Sequence, residues 1–535
     1  MGQFARASRG LAAFYQLVLS AGPNGSIIPA MNSPDTAAAS GDNPDSQAPA
    51  PPGPHDHLPP LSRDAGFWGM TVTQFLGAFN DNLFKQLVLL LSIAPVAIDS
   101  LGSAPAMGMW LFGGPLVLAA VSPGAIPYLF VFAAAAFDPG AVTDRQGLAN
   151  VMFALPFILT TGFAGYLSDK FGKRGIVIAC KVAEIVVMAA GAVGFWVYTQ
   201  NQSLATLYVV LFFMGAQSGF FGPAKYGILP EMLRASDLPR ANGVMLTTTF
   251  MAIIFGQFVA GILIEDFRDQ LWIGSTACIV IAAIGTLSSL WVRKLPPANP
   301  TLQFEPSALW IPTDLRKLLL ADKPLLAALI VSSIFWMLAS MVPGAVNALG
   351  IIELYVGAKD TSYLLAVVSI GIAAGGAIGG LASGDSVNFR VLRIGAVGML
   401  VCLALLAVPS WGPPRDMTME DLVSRPGVGE TRQWLGYYGS GGVLIALGVF
   451  TGMFAVPLQV FMQSDPPDEF KGRMIAAMNL VNWVGIVLAG VLYSALATLI
   501  ESNGWPRCTM FAFIAAMMLP VALFYHPKSE ALPAK

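Results

Sequence analysis

Charge and histidine are scarce in this sequence. Only 11% of its 535 residues are charged, against roughly 25% in an ordinary soluble domain, and 55% are hydrophobic. Of the three histidines, His55 and His57 lie in the Pro-rich N-terminal tail and His526 lies near the C-terminus, so they cannot assemble a metal site or a general base inside the apolar body. A net charge of -2 argues against a nucleic-acid-binding surface. We therefore expect neither an enzyme nor a nucleic-acid-binding protein, and no metal or other cofactor.

Paired cysteines are also lacking. The four cysteines, Cys180, Cys278, Cys402 and Cys508, fall in or beside apolar runs and have no paired spacing. The sequence therefore indicates neither a disulfide framework nor a zinc site. We expect these side chains to pack in an apolar core.

Long apolar runs dominate the sequence from Phe67 onward. Each has about 20 residues, enough to cross a hydrocarbon core of roughly 30 Å at about 1.5 Å per residue. The twelve predicted membrane spans lie at about 67–95, 147–168, 175–198, 204–222, 241–264, 271–292, 325–348, 362–382, 391–410, 437–462, 474–499 and 507–526. The sequence thus predicts an all-α polytopic membrane protein with twelve transmembrane helices.

The longest cytoplasmic connection divides these spans into six and six. It follows the sixth span, between "VRKLPPANP" and "DLRKLLLADKP". Two six-helix halves joined by such a linker are typical of secondary transporters, which bind substrate near the membrane midplane between the halves. The predicted organisation is a disordered N-terminal tail at 1–64, a first half at 65–292, a cytoplasmic linker at 293–324, a second half at 325–527 and a C-terminal tail at 528–535.

Three segments do not fit a plain twelve-helix plan. Residues 100–144 form an insert whose apolar run contains several prolines; a re-entrant or interfacial helical hairpin fits it best, because the flanking spans must keep their orientation. The outer loop at 411–436 is longer than a transporter of this kind needs. Near the N-terminus, "RASRGLAAFYQLVLSAGP" loosely resembles a signal peptide, and a true start at Met31 is the alternative.

Lysine and arginine are distributed unevenly between the two membrane faces. With the N-terminus placed inside, the cytoplasmic loops and the C-terminal tail hold 17 of these residues and the outer loops hold 7. Lysine and arginine are enriched in cytoplasmic loops. We expect a multi-pass protein of the cell inner membrane with both termini in the cytoplasm.

The loop between spans two and three reads "GYLSDKFGKR" and contains Gly165, Asp169, Gly172, Lys173 and Arg174. The glycines permit a tight turn and a close helix approach, and Asp169 can pair with basic groups and hold the first half in one state. In position and spacing the loop resembles the signature loop of the major facilitator superfamily. We assign these five residues to gating or conformational coupling; an ordinary basic loop is the alternative.

Three further segments resemble the lysophospholipid transporters, a branch of that superfamily: "FLGAFNDNLFKQ", "GFFGPAKYGILPEML" and "RANGVMLTTTFMAIIFGQFVAGIL". The resemblance extends more weakly from Phe67 to about Tyr525. It implies transport of lysophospholipids inward across the bacterial inner membrane, for re-acylation by a separate acyltransferase or ligase. We expect a monomer among membrane lipids. Some relatives carry a basic residue shortly after the "FW" of span seven; its absence here leaves the second-half partner of a phosphate unassigned.

Polar side chains interrupt the first span at "AFNDNLFKQ". On a helix, Gln74, Asp81 and Lys85 share one face, and Asn80 and Asn82 flank Asp81. An isolated charge at the bilayer centre costs about 2.5–3.5 kcal/mol on insertion scales. One interpretation is a direct ion pair between Asp81 and Lys85; the other is a cavity lining that binds a lipid headgroup, and both can hold in different states. We assign all five residues to substrate binding.

Two further pairs of charged residues lie in or beside spans three and four. Lys181 and Glu184 are predicted to form an ion pair that holds the cytoplasmic half of the bundle together, with a gating role as the alternative. Lys225 and Glu231 follow the "GP" at 222–223, where we expect the fourth helix to break. Lys225 is either a phosphate contact or an anchor that reaches anionic lipid, and Glu231 is assigned to gating.

Amides and hydroxyls at helical spacing complete the candidates for substrate binding. Most amides in membrane helices hold neighbouring helices together, by about 0.6–2 kcal/mol each, so we expect only two or three of these six to contact substrate. The six are Gln217, Asn242, Thr248, Gln459, Asn479 and Asn482.

The leading functional prediction is a secondary transporter that moves lysophospholipids by alternating access. One alternative is a proton-coupled exporter of drugs or small metabolites, although the Gly-Pro motif usual in span five of such proteins is missing from "GQFVAG". An alternative of another class is a non-transporting membrane sensor or scaffold.

Overall fold

The structure of the protein is a computed structural model. It describes residues 59–93, 144–234, 237–267, 270–303, 311, 313–383, 388–410, 433–467 and 471–527. The predicted insert apart from Asp144, the C-terminal tail, and most of the N-terminal tail and of the long outer loop lie outside the described residues.

Thirteen α-helices lie in the described part of the chain. The first half contains α1 (Ala65–Leu91), α2 (Gln146–Lys170), α3 (Lys173–Asn201), α4 (Ala205–Met232), α5 (Leu238–Asp266) and α6 (Trp272–Ser289). A short helix, α7 (Thr313–Ala321), lies in the linker. The second half contains α8 (Lys323–Ala348), extended by a π-helical turn (Leu349–Glu353), α9 (Ala358–Ser383), α10 (Phe389–Leu406), α11 (Gly436–Ser464), α12 (Lys471–Ser502) and α13 (Thr509–Phe524).

Carboxylates fix the first turn of the leading helix in each half. Asp64 accepts the backbone N–H of Phe67 at 3.1 Å before α1, and Asp322 accepts that of Leu325 at 3.0 Å before α8. These bonds satisfy backbone donors that have no partner inside the helix. Short polar sequences therefore set the boundaries between apolar helices.

The predicted break of the fourth helix at "GP" is wrong. Helix α4 continues through Pro223 and Pro230 to Met232, so Lys225 and Glu231 are helical residues. Proline is tolerated in membrane helices because neighbouring helices satisfy the backbone groups that it frees. The backbone groups that such a break would expose to a ligand are therefore not available at this position.

Twelve of the helices form two six-helix halves, which confirms the predicted fold class. In the first half α1 packs on α5 and α6, and α2 packs on α4; in the second, α9 packs on α11, and α8 on α12. By length and composition, ten helices among the described residues can cross a membrane. Helix α13 has 16 residues and is shorter than these ten, and α1 carries the polar segment around Asp81.

The two halves meet along two helix pairs, α2 with α12 and α5 with α9, which we call the seam. Its closest packing lies towards one membrane face, where a Cβ on Gly490 would lie 2.6 Å from the carbonyl oxygen of Gly147. We name this the far face; α5 and α12 end there, near Glu265 and Glu501. The opposite face, near Asp169, is called the signature-loop face.

Aromatic rings extend the seam towards the midplane. Phe157 of α2 stacks on Trp483 of α12 with ring centroids 3.7 Å apart, and Phe258 of α5 lies 4.9 Å from Tyr363 of α9. In the described residues, the hydrogen bonds and ring contacts between the two halves lie between these rings and the far face. In this state of the protein, the two halves are therefore joined at the far face.

Candidate substrate site

A carboxylate in α1 faces a hydroxyl in α4. The Oγ of Ser218 donates a hydrogen bond to Oδ2 of Asp81 at 2.6 Å, and Nε2 of Gln217 donates to Ser218 Oγ at 2.8 Å. The other carboxylate oxygen of Asp81 is buried and has no hydrogen-bond partner among the described residues. A buried acceptor without a donor is unfavourable, so this oxygen is a site where a ligand cation or N–H group would be stabilised.

A lysine amine lies beside this carboxylate, within electrostatic reach of it. The Nζ of Lys225 in α4 donates to Oε1 of Gln74 in α1 at 3.2 Å and lies 4.5 Å from the ring centre of Tyr226. The amide of Gln74 is held by α5: its Nε2 donates to Thr248 Oγ1 at 3.0 Å, and Thr249 Oγ1 donates to Gln74 Oε1 at 3.0 Å. Lys225 therefore points towards α1, as the headgroup interpretation requires, and not along the lipid surface.

The predicted ion pair between Asp81 and Lys85 is not formed. The ammonium of Lys85 lies 4.9 Å from the ring centre of Phe153 in α2. It lines a cavity of about 20 Å³ at the seam with Asn150, Ser340 and others, roughly the space that one water needs. The i,i+4 spacing allowed a pair, but Ser218 and Phe153 supply other partners.

Asn80 belongs to a second cluster inside the first half. Its Nδ2 donates to Oε1 of Glu184 at 2.7 Å and to the carbonyl oxygen of Cys278 at 3.2 Å. Glu184 forms an ion pair with Lys181, and both side chains are 1% exposed. Asn80 is fully buried against α3 and α6, so in this state its amide is bound inside the first half, and its assignment to substrate binding stays a prediction. This amide contributes hydrogen bonds to the interior of the first half.

The remaining predicted amides occupy several environments. Asn82 donates to the carbonyl oxygen of Ala78 in its own helix at 2.8 Å. Asn482 accepts from Ser332 Oγ at 3.1 Å and thereby joins α12 to α8. Three others are exposed and form no hydrogen bond with Asp81, Gln74 or Lys225 in the described residues: Asn242, Gln459 and Asn479.

The signature loop joins helices of the first half. Lys173 pairs with Glu231 and links α3 to the end of α4. Arg174 donates to the carbonyl oxygen of Leu290 at 2.8 Å. Asp169 is exposed and forms no ion pair in the described residues, although its carbonyl oxygen accepts the N–H of Asn299 at 2.8 Å. The loop is thus fixed to the start of the linker through its backbone.

The two glycines of this loop are not required in the way we predicted. Gly165 lies within α2, and a Cβ there would meet nothing within 4 Å. Gly172 has φ -62°, which any residue adopts, and a Cβ on it would lie 3.3 Å from the carbonyl oxygen of Leu295. Only Gly172 therefore supports a close approach.

Several residues of the polar groups were not predicted. Ser218 and Thr249 contact Asp81 and Gln74, yet serine and threonine are too common in membrane helices to be selected by spacing. Gln86, the last residue of the segment "AFNDNLFKQ", was not assigned a role; its Nε2 donates to Asn347 Oδ1 of α8 at 2.9 Å and links the two halves.

Two six-helix halves with polar groups between helices define the architecture of a secondary transporter. The sequence model of the Major Facilitator Superfamily matches residues 125–490, and the chain belongs to that superfamily. Among curated proteins it is similar to lysophospholipid transporter LplT of Klebsiella pneumoniae subsp. pneumoniae, 28% identical over 373 residues that span 65% of this chain and 79% of that protein. The protein of the same name from Serratia proteamaculans is 27% identical over 365 residues, with the same coverage of 65% and 79%.

Solved structures show the same fold at low sequence identity. The nucleoside transporter NupG matches with a TM-score of 0.55 and 13% identity, over 85% of this chain and 98% of that chain. A POT family transporter in complex with 5-aminolevulinic acid matches with a TM-score of 0.56 and 14% identity, over 86% and 95%.

Proposed function

We propose that this protein transports lysophospholipids across the membrane by alternating access between its two halves. The observation that carries the proposal is a pair of opposite charges in the first half. One oxygen of the Asp81 carboxylate has no hydrogen-bond partner among the described residues, and the Lys225 ammonium lies within electrostatic reach of it. A zwitterionic headgroup has the complementary groups, an ammonium for Asp81 and a phosphate for Lys225. The similarity to proteins named as lysophospholipid transporters supports the same substrate class.

The second half suits the apolar part of such a substrate. In helices α8 to α13 the charged residues lie at or near the helix ends, and the facing side chains form one large apolar core. An acyl chain needs only apolar contact surface. A lipid with one chain can therefore place its headgroup against α1 and α4 and its tail against apolar side chains.

The charge distribution of the loops supports one orientation of the protein in the membrane. We infer that the signature-loop face is cytoplasmic and that both termini lie on the cytoplasmic side of the inner membrane. The substrate would enter from the outer leaflet and be released inward, where a separate acyltransferase or ligase re-acylates it. Cysteine labelling in intact cells tests this orientation. A reagent that does not cross the membrane is added outside to the variants Asp169→Cys and Asn503→Cys, and only Asn503→Cys is expected to react.

A flipping assay with purified protein tests the substrate. Vesicles containing the protein are expected to move labelled lyso-phosphatidylethanolamine between leaflets faster than protein-free vesicles, and faster than they move the two-chain lipid. Protein that moves a nucleoside or drug while leaving the lyso-lipid in place would contradict the proposal.

A further inference from the structure

A buried carboxyl group lies where the seam reaches the far face. Asp144 precedes α2, forms an isolated antiparallel bridge with Ile93, and is 1% exposed. The N–H of Arg145 donates to the carbonyl oxygen of Ser92 at 2.9 Å, so this segment is fixed to the end of α1. The carboxyl group is thus held rigidly by the first half.

The same carboxyl group contacts the second half. The hydroxyl of Tyr493 in α12 donates to Oδ2 of Asp144 at 2.8 Å, and the Asp144 N–H donates to Oε1 of Glu501 at 3.2 Å. Within the first half, the backbone N–H and the Nε2 of Gln146 both donate to Asp144 Oδ1 at 3.2 Å. Asp144 can keep its contact with Tyr493 only while α2 and α12 lie together.

A chain of amides continues this contact across the seam. Nε2 of Gln146 also donates to the carbonyl oxygen of Gly344 in α8 at 3.1 Å, and Nδ2 of Asn347 donates to Gln146 Oε1 at 2.8 Å. Asn347 in turn accepts from Gln86 of α1 at 2.9 Å. Parting of the halves at the far face would therefore break all of these bonds and admit water to Asp144.

The charged neighbours of Asp144 come mainly from the second half. Arg507 pairs with Glu501, and its backbone N–H donates to Glu353. From the first half, Arg145 is exposed beside Asp144. Among the described residues, the carboxylates of Asp144 and Glu501 thus lie within electrostatic reach of the guanidinium of Arg507, and Glu353 contacts the backbone of Arg507.

Tyrosine hydroxyls complete these surroundings. Tyr208 of α4 lies within electrostatic reach of Asp144 and is 3.3 Å from Ser92 Oγ. Burial raises the pKa of Asp144 above its ordinary value, and the hydrogen bond from Tyr493, the charge of Arg507 and the bonds from Gln146 lower it by less. Contact with water in a parted seam would return the pKa towards its ordinary value.

We propose that Asp144 is a proton-binding site, which takes up a proton from water on the far side as the two halves join there and releases it as they part. The protonated carboxyl group donates to the Tyr493 hydroxyl oxygen, which is also an acceptor, so the closed contact stays satisfied. By linkage, the state that binds the proton more tightly is favoured at low pH. Joining of the far face is therefore favoured as pH falls, and parting as pH rises through the pKa of the closed state.

Spin labels across the far face test this proposal without any lipid, so its failure is distinct from a failure of the proposed transport function. Labels at Gln200→Cys in the first half and Asn503→Cys in the second occupy exposed sites, in a chain whose four buried cysteines are replaced by alanine. Double electron–electron resonance in nanodiscs then measures the joined and parted populations from pH 5 to 8. A difference of one pKa unit between the two states raises the parted-to-joined ratio about tenfold between a pH below both pKa values and a pH above both, and by less where the range covers only part of the titration.

Two variants test whether the carboxyl group of Asp144 causes the pH response. Asp144→Asn has no carboxyl proton to lose. In this variant the parted-to-joined ratio is expected to change less than about twofold across the pH range. Tyr493→Phe removes a hydrogen bond that stabilises the ionised carboxylate of Asp144 in the joined state. The pKa of the joined state should therefore rise, and the parted population should increase only at higher pH than in the parent. Asp314→Asn, an exposed carboxylate on the signature-loop face, is the matched control and should behave like the parent. A pH response retained by Asp144→Asn, an unresponsive parent, or parting that increases as pH falls would overturn the proposal.

Discussion

The two halves of this protein differ in where their charged residues lie. Within its membrane helices the first half carries five charged side chains away from the helix ends: Asp81, Lys85, Lys181, Glu184 and Lys225. In α8 to α13 the charged residues lie at or near the ends, as Glu353 and Arg473 do, and the interior polar groups are neutral. Because charge inside a membrane is costly, its confinement to one half supports our proposal that the two halves bind different parts of one ligand.

The charges of the first half also divide into two groups. Lys181 and Glu184 satisfy each other at full burial, with Asn80 completing the cluster. Asp81 and Lys225 instead contact neutral side chains, Ser218 and Gln74. The first group stabilises the half, and the second has capacity left for a ligand.

Breaking the self-satisfied pair is expected to have the largest effect. Glu184→Gln leaves the Lys181 ammonium buried without a counter-charge, and loss of one partner of a buried pair typically lowers the free energy of unfolding by about 3–5 kcal/mol. Unfolding in detergent, followed by tryptophan fluorescence, measures the change. Asp314→Asn removes one partner of an exposed pair with Arg473 and serves as the control, with stability unchanged. Equal stability of Glu184→Gln and the parent would show that the pair is not structural.

Removal of the Asp81 charge comes next. Asp81→Asn is expected to lower the initial rate of lyso-phosphatidylethanolamine flipping about 10- to 100-fold, the loss expected for a hydrogen bond to a charged group. Thermal stability should stay near that of the parent, because Ser218 can still donate to the amide oxygen. Asp81→Glu keeps the charge and should retain a larger part of the rate. Flipping by Asp81→Asn at the parental rate would remove this residue from the site.

Lys225 is expected to contribute less, since Gln74 and Thr249 remain as neutral donors and acceptors beside it. Lys225→Ala should raise the lipid concentration for half-maximal transport about fivefold to tenfold, with Lys225→Arg closer to the parent. A titration of transport against lyso-lipid content of the vesicles measures this. The effect should be smaller for a lyso-lipid without a phosphate, and an equal effect on both would contradict a phosphate contact.

The smallest effect belongs to the second half. Asn482→Ala removes one neutral hydrogen bond to Ser332, and such bonds between membrane helices contribute about 0.6 kcal/mol on average. Flipping should stay within about twofold of the parent. A loss as large as that of Asp81→Asn would mean that the second half binds the headgroup too.

The sequence was sufficient for the helices and for several members of the polar groups around Asp81 and Lys225; their role in substrate binding stays a prediction. Apolar runs and loops located all twelve bundle helices, and helical spacing selected Gln74, Asp81 and Gln217 because same-face neighbours are fixed by geometry within one helix. Partners on other helices could not be found in this way. The choice of Ser218 over Lys85 as the partner of Asp81 depends on how α1 packs against α4, which no local rule contains.

Two local rules failed for identifiable reasons. Pro223 was expected to end a helix, but membrane helices continue through proline when neighbouring groups satisfy the backbone. Asn80 was grouped with Asp81 by adjacency, although consecutive helical residues point about 100° apart. At the seam, Asp144 and Tyr493 are separated by more than three hundred residues and meet only in the folded protein.

Photolabelling with two lyso-lipids tests the central comparison most directly. One probe carries its photoreactive group on the headgroup and the other at the end of the acyl chain, and mass spectrometry locates the labelled peptides. The headgroup probe is expected to label α1 and α4, within Ala65–Leu91 and Ala205–Met232, and the tail probe to label helices of the second half. Headgroup labelling concentrated in α8 to α13 would contradict the division between the two halves.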